Sequence, residues 1–96
     1  MGREMKVGDY VVWSRQTCHD LVPRVGMWEV RTEPRVGYNN GRYKTEPFVK
    51  LRWVAGARMY HDQKKAFRPV SELHHPEDPW RMLIQLKVQD TLKKLA

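Results

Sequence analysis

The sequence is poor in cysteine, since Cys18 is the only one among 96 residues. A single thiol cannot form an intrachain disulfide, so nothing in the composition indicates an oxidising compartment, and we expect a cytoplasmic protein. Long apolar runs are also missing. No stretch approaches the roughly 18 apolar residues of a membrane span, and segment 1–6 lacks the apolar core of a secretory signal. We therefore expect a soluble protein that does not act at a membrane.

Acidic residues are scarce relative to basic ones. The chain has 18 Lys and Arg against 11 Asp and Glu, which gives a formal net charge of +7. This balance does not determine a fold, but it favours association with polyanions such as nucleic acid. The length supports one small hydrophobic core, because a second core would need more residues, so we expect a single domain over residues 1–96.

The clearest structural pattern lies around residue 50. Val49, Leu51 and Trp53 alternate with Lys50 and Arg52. A period of two turns one set toward a core and the other toward water, which predicts a half-buried strand with a cationic outer face. β-Branched, aromatic or alternating residues predict further strands at 10–13, 26–32 and 65–68.

The connections between these strands carry recognisable signals. Residues 14–25 show no period and contain a proline, which predicts a long loop. Asn and Gly within 38–41 predict a tight turn, from which a hairpin strand continues over 42–45. A short strand is expected near 58–61, and the segment Pro69 to Leu73 predicts one turn of 3₁₀ helix.

A helix is predicted at the end of the sequence. Asp78 is a suitable N-cap, Pro79 suits the first helical position, and neither Gly nor Pro interrupts residues 80–96. The apolar stripe expected on this amphipathic helix comprises Leu83, Ile84, Val88, Thr91, Leu92 and Leu95.

Two roles for this stripe remain open at the level of sequence. In the first, the stripe covers apolar residues of the chain's own sheet, namely Tyr10, Val12 and Phe48. In the second, the stripe is the seam of a homodimer. Either role buries a similar apolar area, so the pattern does not choose between them.

The order of strand and turn signals resembles a known fold. The phrases Gly8-Asp9-x-Val11, Gly26-x-Trp28-x-Val30, Val49-x-Leu51-x-Trp53 and Phe67 to Leu73 are together similar to an SH3-like barrel over residues 6–75. The resemblance implies a mainly β fold, a five-stranded small barrel, here followed by the C-terminal amphipathic helix.

Two families with this architecture differ in activity. The C-terminal DNA-binding domains of retroviral-type integrases are similar in charge, in tryptophan content and in the phrase from Phe67 to Leu73, and this similarity implies nucleic-acid binding. Plasmid-type trimethoprim-resistant dihydrofolate reductases share the layout but carry a Val-Gln-Ile-Tyr segment that is absent here, so their activity is not expected. Fold alone does not decide between functions.

A basic cluster is the strongest functional signal. Between positions 42 and 68 there are eight Lys or Arg against Glu46 and Asp62, a balance of +6. Several neighbouring cations bind phosphates together and release counterions, while tyrosines among them offer stacking surfaces for DNA or RNA bases. The alternative is a solvated surface that only keeps the protein in solution. The predicted contact residues are Arg31, Arg42, Tyr43, Lys44, Lys50, Arg52, Tyr60, Lys64, Lys65 and Arg68. Of these, Arg31, Lys50, Arg52 and Arg68 are expected to point outward.

Other candidate sites are weaker. Cys18, His19, His74 and His75 have the chemistry of zinc ligands but not the usual spacing, so we expect no metal and no cofactor. The sequence shows no combination of acid, base and nucleophile, so we expect a binding protein and not an enzyme. The remaining alternative is an enzyme with its site at an oligomer interface.

The main alternative function is a protein-interaction or assembly module. Such a module, for example an accessory protein of a phage or plasmid, would bind its protein partner through the C-terminal helix or the 15–25 loop. Trp13, Trp28 and Trp53 are expected to be core residues in either case, because large aromatic side chains in a small barrel are usually buried.

Overall fold

Four antiparallel strands, one 3₁₀ turn and one helix form the fold of the described residues. The computed structural model describes residues 4–16, 18–19, 21–36, 46–58 and 64–95. In chain order the elements are β1 (Tyr10–Arg15), β2 (Arg24–Val30), β3 (Phe48–Gly56), β4 (Lys65–Pro69), the 3₁₀ turn (Val70–Glu72) and α1 (Pro79–Leu95). The structure therefore contains the strands predicted at 10–13, 26–32, around residue 50 and at 65–68, as well as the 3₁₀ turn and the terminal helix.

The sheet is a curled meander in the order β1-β2-β3-β4, so each strand pairs with its neighbour in sequence. After the 3₁₀ turn the chain returns to β1, where Val12 and His74 exchange backbone hydrogen bonds of 2.7 and 3.2 Å. The predicted fifth strand is not confirmed. Within the part of the chain that the structure describes, its position is taken by this single bridge, and the sheet forms half a barrel.

Inward-facing residues of all four strands form the main core. Val11, Trp28, Val30, Val49 and Leu51 are fully buried there. The alternation read from the sequence around residue 50 is therefore confirmed. Trp13 and Trp28 are core residues as predicted, whereas Trp53 is only half-buried against this cluster.

The helix begins as the sequence predicts. The side-chain Oδ1 of Asp78 accepts a hydrogen bond of 3.1 Å from the Arg81 amide, which is the contact of an N-cap. The helix packs on the outer face of its own sheet, where Leu83 and Leu86 contact Met27 and Ala55. Tyr10, Val54 and Met82 border this second cluster.

The face of α1 that packs on the sheet is not the predicted apolar stripe. Leu83 is buried, but Ile84, Val88, Leu92 and Leu95 are exposed. The buried face instead uses Leu86, which the stripe did not include, because apolar residues lie on two sides of this helix. Of the three residues expected beneath the helix, Tyr10 borders it and Val12 is buried, whereas Phe48 packs edge-to-face on Phe67 at 5.8 Å between ring centroids.

Two paired glycines allow β2, β3 and the helix to approach one another closely. Gly26 lies opposite Gly56, next to an irregularity in strand register at Met27 and Trp28. A Cβ on Gly26 would lie 2.0 Å from the carbonyl oxygen of Ala57. Gly56 has a φ of 80°, and a Cβ there would lie 2.5 Å from the carbonyl oxygen of Val25. Larger residues therefore do not fit at this crossing.

The loop predicted at 14–25 is shorter than expected, because β1 continues to Arg15 and β2 starts at Arg24. The turn expected at 38–41 and the strand at 42–45 lie outside the described residues, as does most of the short strand expected at 58–61. Among the residues that are described, no helix is long and apolar enough to cross a membrane.

Candidate functional site

The outer face of the sheet is divided into two parts. The covered half consists of Tyr10, Met27, Val54 and Ala55 and lies under α1. The open half lies beyond the helix and consists of Glu29, Arg31, Lys50, Arg52, Lys65 and Phe67.

Strand register brings the residues of the open half together. Glu29 lies opposite Arg52, and Arg52 lies opposite Lys65. Lys50 lies opposite Phe67 in the next row. The backbone N–H of Arg31 donates to the carbonyl of Lys50 at 2.8 Å, which extends this second row beyond β2. Residues directly opposite in antiparallel strands share a face. Lys50 and Arg52 of β3, Lys65 of β4 and Arg31, which follows β2, therefore project on one side of the sheet.

Glu29 neutralises part of this charge. Its Oε1 lies 2.9 Å from Nη2 of Arg52 and 3.4 Å from Nη1 of Arg31. One carboxylate is thus shared by two guanidinium groups, whose side chains remain 56% and 51% exposed. Because Lys50 and Lys65 add two further charges, the open half keeps an excess of positive charge, and both arginines can still reach a ligand.

An aromatic side chain lies within the same surface. Phe67 is 41% exposed although it contacts Phe48, and it stands opposite Lys50 across the strands. Lys64 is exposed next to this region, and its carbonyl accepts a hydrogen bond of 2.7 Å from the Trp53 amide. The open half therefore combines cations with one accessible ring.

Arg68 does not belong to this surface, and the prediction that it points outward is wrong. Arg68 is 7% exposed, and its guanidinium lies 5.7 Å from the centroid of the Trp13 ring. Alternation along β4 explains the difference, because Lys65 and Phe67 face outward and Ala66 and Arg68 therefore face inward. A cation over an aromatic face is a favourable contact that suits a partly desolvated arginine.

The remaining predicted contact residues divide into two groups. Arg31, Lys50, Arg52, Lys64 and Lys65 lie together on or beside the open half. The others, Arg42, Tyr43, Lys44 and Tyr60, lie outside the described residues.

A second group of cations lines a cleft that was not predicted from the sequence. This cleft of about 440 Å³ lies between the end of β3 and the C-terminal half of α1, and its cations are Arg58, Lys87, Lys93 and Lys94. The guanidinium carbon of Arg58 lies over the Trp53 ring, 4.4 Å from its centroid. Lys87 and Lys94 are seven residues apart on a helix, a spacing that places them on one face and was visible in the sequence.

One carboxylate lines the cleft, that of Asp90, and it already accepts a hydrogen bond from the backbone. Oδ2 of Asp90 accepts a hydrogen bond of 3.1 Å from the Gly56 amide and thereby fixes the helix to the end of β3. Val54 lines the cleft and follows Arg52 by two residues, a distance of about 7 Å along a strand. The cleft therefore adjoins the open half.

The four residues considered as zinc ligands, Cys18, His19, His74 and His75, do not form a metal site. Cys18 is exposed, and Nε2 of His75 lies 2.9 Å from Oδ2 of Asp9, where it links the segment after the 3₁₀ turn to the turn before β1. In the described ranges no three His, Cys, Asp or Glu side chains are grouped closely enough to hold a metal ion.

The chain matches no protein-family model, no curated protein and no solved structure.

Proposed function

We propose that this protein is a non-enzymatic module that binds nucleic acid through the open half of its sheet. The observation that carries the proposal is the alignment of Arg31, Lys50, Arg52 and Lys65 across neighbouring segments on one uncovered face. The resemblance to integrase DNA-binding domains implies the same class of ligand. In this role the four cations contact phosphates.

Charge density supports the proposal. Each phosphate that a cation neutralises releases counterions, so affinity depends on the number of cations that act together. Four contacts predict an affinity that falls roughly 50-fold to 150-fold between about 50 and about 200 mM salt.

The exposed ring of Phe67 favours single strands over duplexes. Bases of a single strand can stack on an aromatic side chain while neighbouring cations hold the backbone, whereas the bases of a duplex are not available for stacking. Phe67 and Lys50 lie directly across from one another, so one nucleotide can contact both. We therefore expect tighter binding to a single-stranded oligonucleotide than to a duplex of equal length.

Charge reversal tests the proposal. Lys50→Glu combined with Arg52→Glu replaces two cations of the open half by acids and should lower affinity for a labelled single-stranded oligonucleotide at least about 30-fold at low salt. Fluorescence anisotropy measures this affinity. Stability should change little, because both side chains are wholly or partly exposed.

The matched control reverses two other cations that face one another across strands. Arg15 and Arg24 pair at the far end of β1 and β2, and both are exposed. Arg15→Glu with Arg24→Glu makes the same change in net charge, and we expect a loss of affinity of less than about fivefold. Unchanged binding by the Lys50 and Arg52 variant, or an equal loss in both variants, would show that the open half is not the binding site.

A second candidate function is a protein-interaction or assembly module. The observation that favours it is the exposure of several large apolar side chains on α1, none of which belongs to the open half. The two functions predict different responses to salt, because apolar association is insensitive to salt or strengthens with it, whereas phosphate binding weakens. They also depend on different residues of the chain.

A further inference from the structure

The cleft between the end of β3 and α1 has cations on both of its walls. Arg58 follows β3 on one wall, and Lys87, Lys93 and Lys94 lie on the helix that forms the other. All four residues are exposed. Against them stands the carboxylate of Asp90, so the lining of the cleft carries a balance of +3. A surface of this charge attracts anions.

The position of Arg58 suits a phosphate group. Its guanidinium carbon lies 4.4 Å from the centroid of the Trp53 ring. Stacking on a ring uses the flat face of a guanidinium group, whereas its N–H donors lie in the plane of the group. Two of these donors can bind one phosphate side by side. Arg58 can therefore stay stacked on Trp53 while it binds a phosphate in the cleft.

Two hydrogen bonds at Gly56 join the walls of the cleft. Nε1 of Trp53 donates to the Gly56 carbonyl at 3.2 Å, and the Gly56 amide donates to Oδ2 of Asp90 at 3.1 Å. Lys87 precedes Asp90 by three residues and Lys94 follows it by four, spacings that place all three on one face of a helix. The contact that joins the helix to β3 therefore also turns Lys87 and Lys94 toward the cleft.

The cleft continues the open half along the sheet. Lys64 precedes Lys65 of the open half, and its carbonyl accepts a hydrogen bond of 2.7 Å from the amide of Trp53, which lines the cleft. Arg52 and Gly56 are about 13 Å apart along β3. Successive phosphates of one strand in a duplex lie about 3.4 Å apart along the axis. About four nucleotides cover this distance in that geometry, and fewer do in an extended strand.

We propose that the cleft is a second phosphate-binding site for the same single strand, which runs from the open half past Lys64 into the cleft. This extension rests on the proposed function, because the open half supplies the first part of the path. A strand long enough to reach both surfaces gains about three phosphate contacts, from Arg58, Lys87 and Lys94. The slope of log affinity against log salt then steepens from about −2.8 to about −4.9.

Neutralising the helical wall of the cleft tests the proposal. Lys87→Gln with Lys94→Gln should lower affinity for a labelled single strand of about 12 nucleotides by about tenfold to 100-fold at about 50 mM salt, measured by fluorescence anisotropy. The salt slope should become shallower by about 1.4. The variant should keep its folded-state circular dichroism, since both positions are exposed. Native affinity with an unchanged slope would overturn the proposal.

Oligonucleotide length distinguishes one continuous path from two separate sites. A trinucleotide has only two internucleotide phosphates, which the cations of the open half can bind without the cleft. We expect the Lys87 and Lys94 variant to bind a trinucleotide within about twofold of the native affinity, measured by amide chemical shifts. An equal loss for the trinucleotide and for the longer strand would contradict a path that enters the cleft from the open half.

The matched control removes two exposed cations that line neither surface. Lys6→Gln with Arg81→Gln makes the same change in net charge as the cleft variant. We expect its affinity for the longer strand to fall less than about threefold, because neither side chain contacts a phosphate on this path. An equal loss in both variants would attribute the effect to net charge and would remove the cleft from the binding site.

Comparison with the open-half variant separates this proposal from the proposed function. If Lys50→Glu with Arg52→Glu lowers affinity for the longer strand and the cleft variant does not, the strand binds the open half alone and the cleft has no part in binding. If only the cleft variant loses affinity, the strand does not bind the open half, and both the continuous path and the proposed function are wrong.

Discussion

The two halves of the outer sheet face differ in what covers them, although β2 and β3 run through both. In the covered half Met27 and Ala55 lie beneath Leu83 and Leu86 of the helix. In the open half the same two strands present Glu29 and Arg52, which form an ion pair in which the Arg52 side chain remains 56% exposed. The comparison shows that side-chain polarity along a strand decides where the helix can lie.

The register irregularity at Met27 and Trp28 separates the two halves. On one side Met27 pairs with Ala55, and on the other Trp28 pairs with Trp53, so β3 contributes one extra residue between them. An extra residue of this kind bends a strand and increases its twist. The helix therefore lies against the end of β3, while the cationic residues before the bend stay uncovered.

The largest expected effect is a loss of stability at the glycine crossing, where Gly26 lies opposite Gly56. In Gly26→Ala the new methyl group would lie 2.0 Å from the Ala57 carbonyl oxygen and 2.9 Å from Nε1 of the buried Trp28, so backbone must move and core packing must be lost. We expect the free energy of unfolding to fall by at least about 3 kcal/mol, measured by urea denaturation.

Gly8→Ala is the control for this substitution. Gly8 has a φ of 92°, but nothing lies within 4 Å of a Cβ at that position. We expect a loss of about 1 to 2 kcal/mol from backbone strain alone. Equal losses for the two variants would show that the glycine crossing is not crowded.

A second prediction compares the two sides of the helix. Leu86→Ala removes a side chain that is 7% exposed and should lower the free energy of unfolding by about 2 to 3 kcal/mol. Ile84→Ala removes one that is 62% exposed and should change it by no more than about 0.5 kcal/mol. The reverse order in thermal or urea unfolding would mean that the helix packs through its other side.

The smallest expected effect is a change in oligonucleotide affinity when Glu29, the acid within the open half, is replaced. Glu29→Gln removes the carboxylate that Arg31 and Arg52 share, so the two guanidinium groups become fully available to phosphates. We expect the affinity for a single-stranded oligonucleotide to rise about threefold to tenfold at low salt. Glu4→Gln, an exposed acid before β1, removes the same charge and should raise it less than twofold or so. A weaker complex with Glu29→Gln would show that the open half does not bind phosphates.

Much of the fold could be predicted from the sequence because strand alternation is a local signal. The period of two around Lys50 and Arg52 gave the correct inner and outer faces, and Asp78 with Pro79 gave the start of the helix. The fifth strand could not be predicted correctly, because its reduction to one bridge at His74 depends on how the sheet curls.

The helix and the site show where sequence reasoning was insufficient. Leu86 and Ile84 are both apolar, and only the tertiary position of α1 decides which of them is buried. Arg68 was assigned to the outer face on charge alone, but the alternation of β4 turns it inward. The pairing of Glu29 with Arg52 joins residues from two strands, and only the register of β2 on β3 reveals it.

Backbone amide chemical shifts test most directly whether nucleic acid contacts the uncovered cations of β3 and its neighbours. Isotope-labelled protein is titrated with a short single-stranded oligonucleotide at low salt. We predict that the largest shifts occur at Lys50, Arg52 and Lys65 and that they disappear at high salt. Shifts concentrated on the exposed apolar residues of α1, such as Ile84, Val88 and Leu92, or no shifts at any residue, would contradict the proposed function.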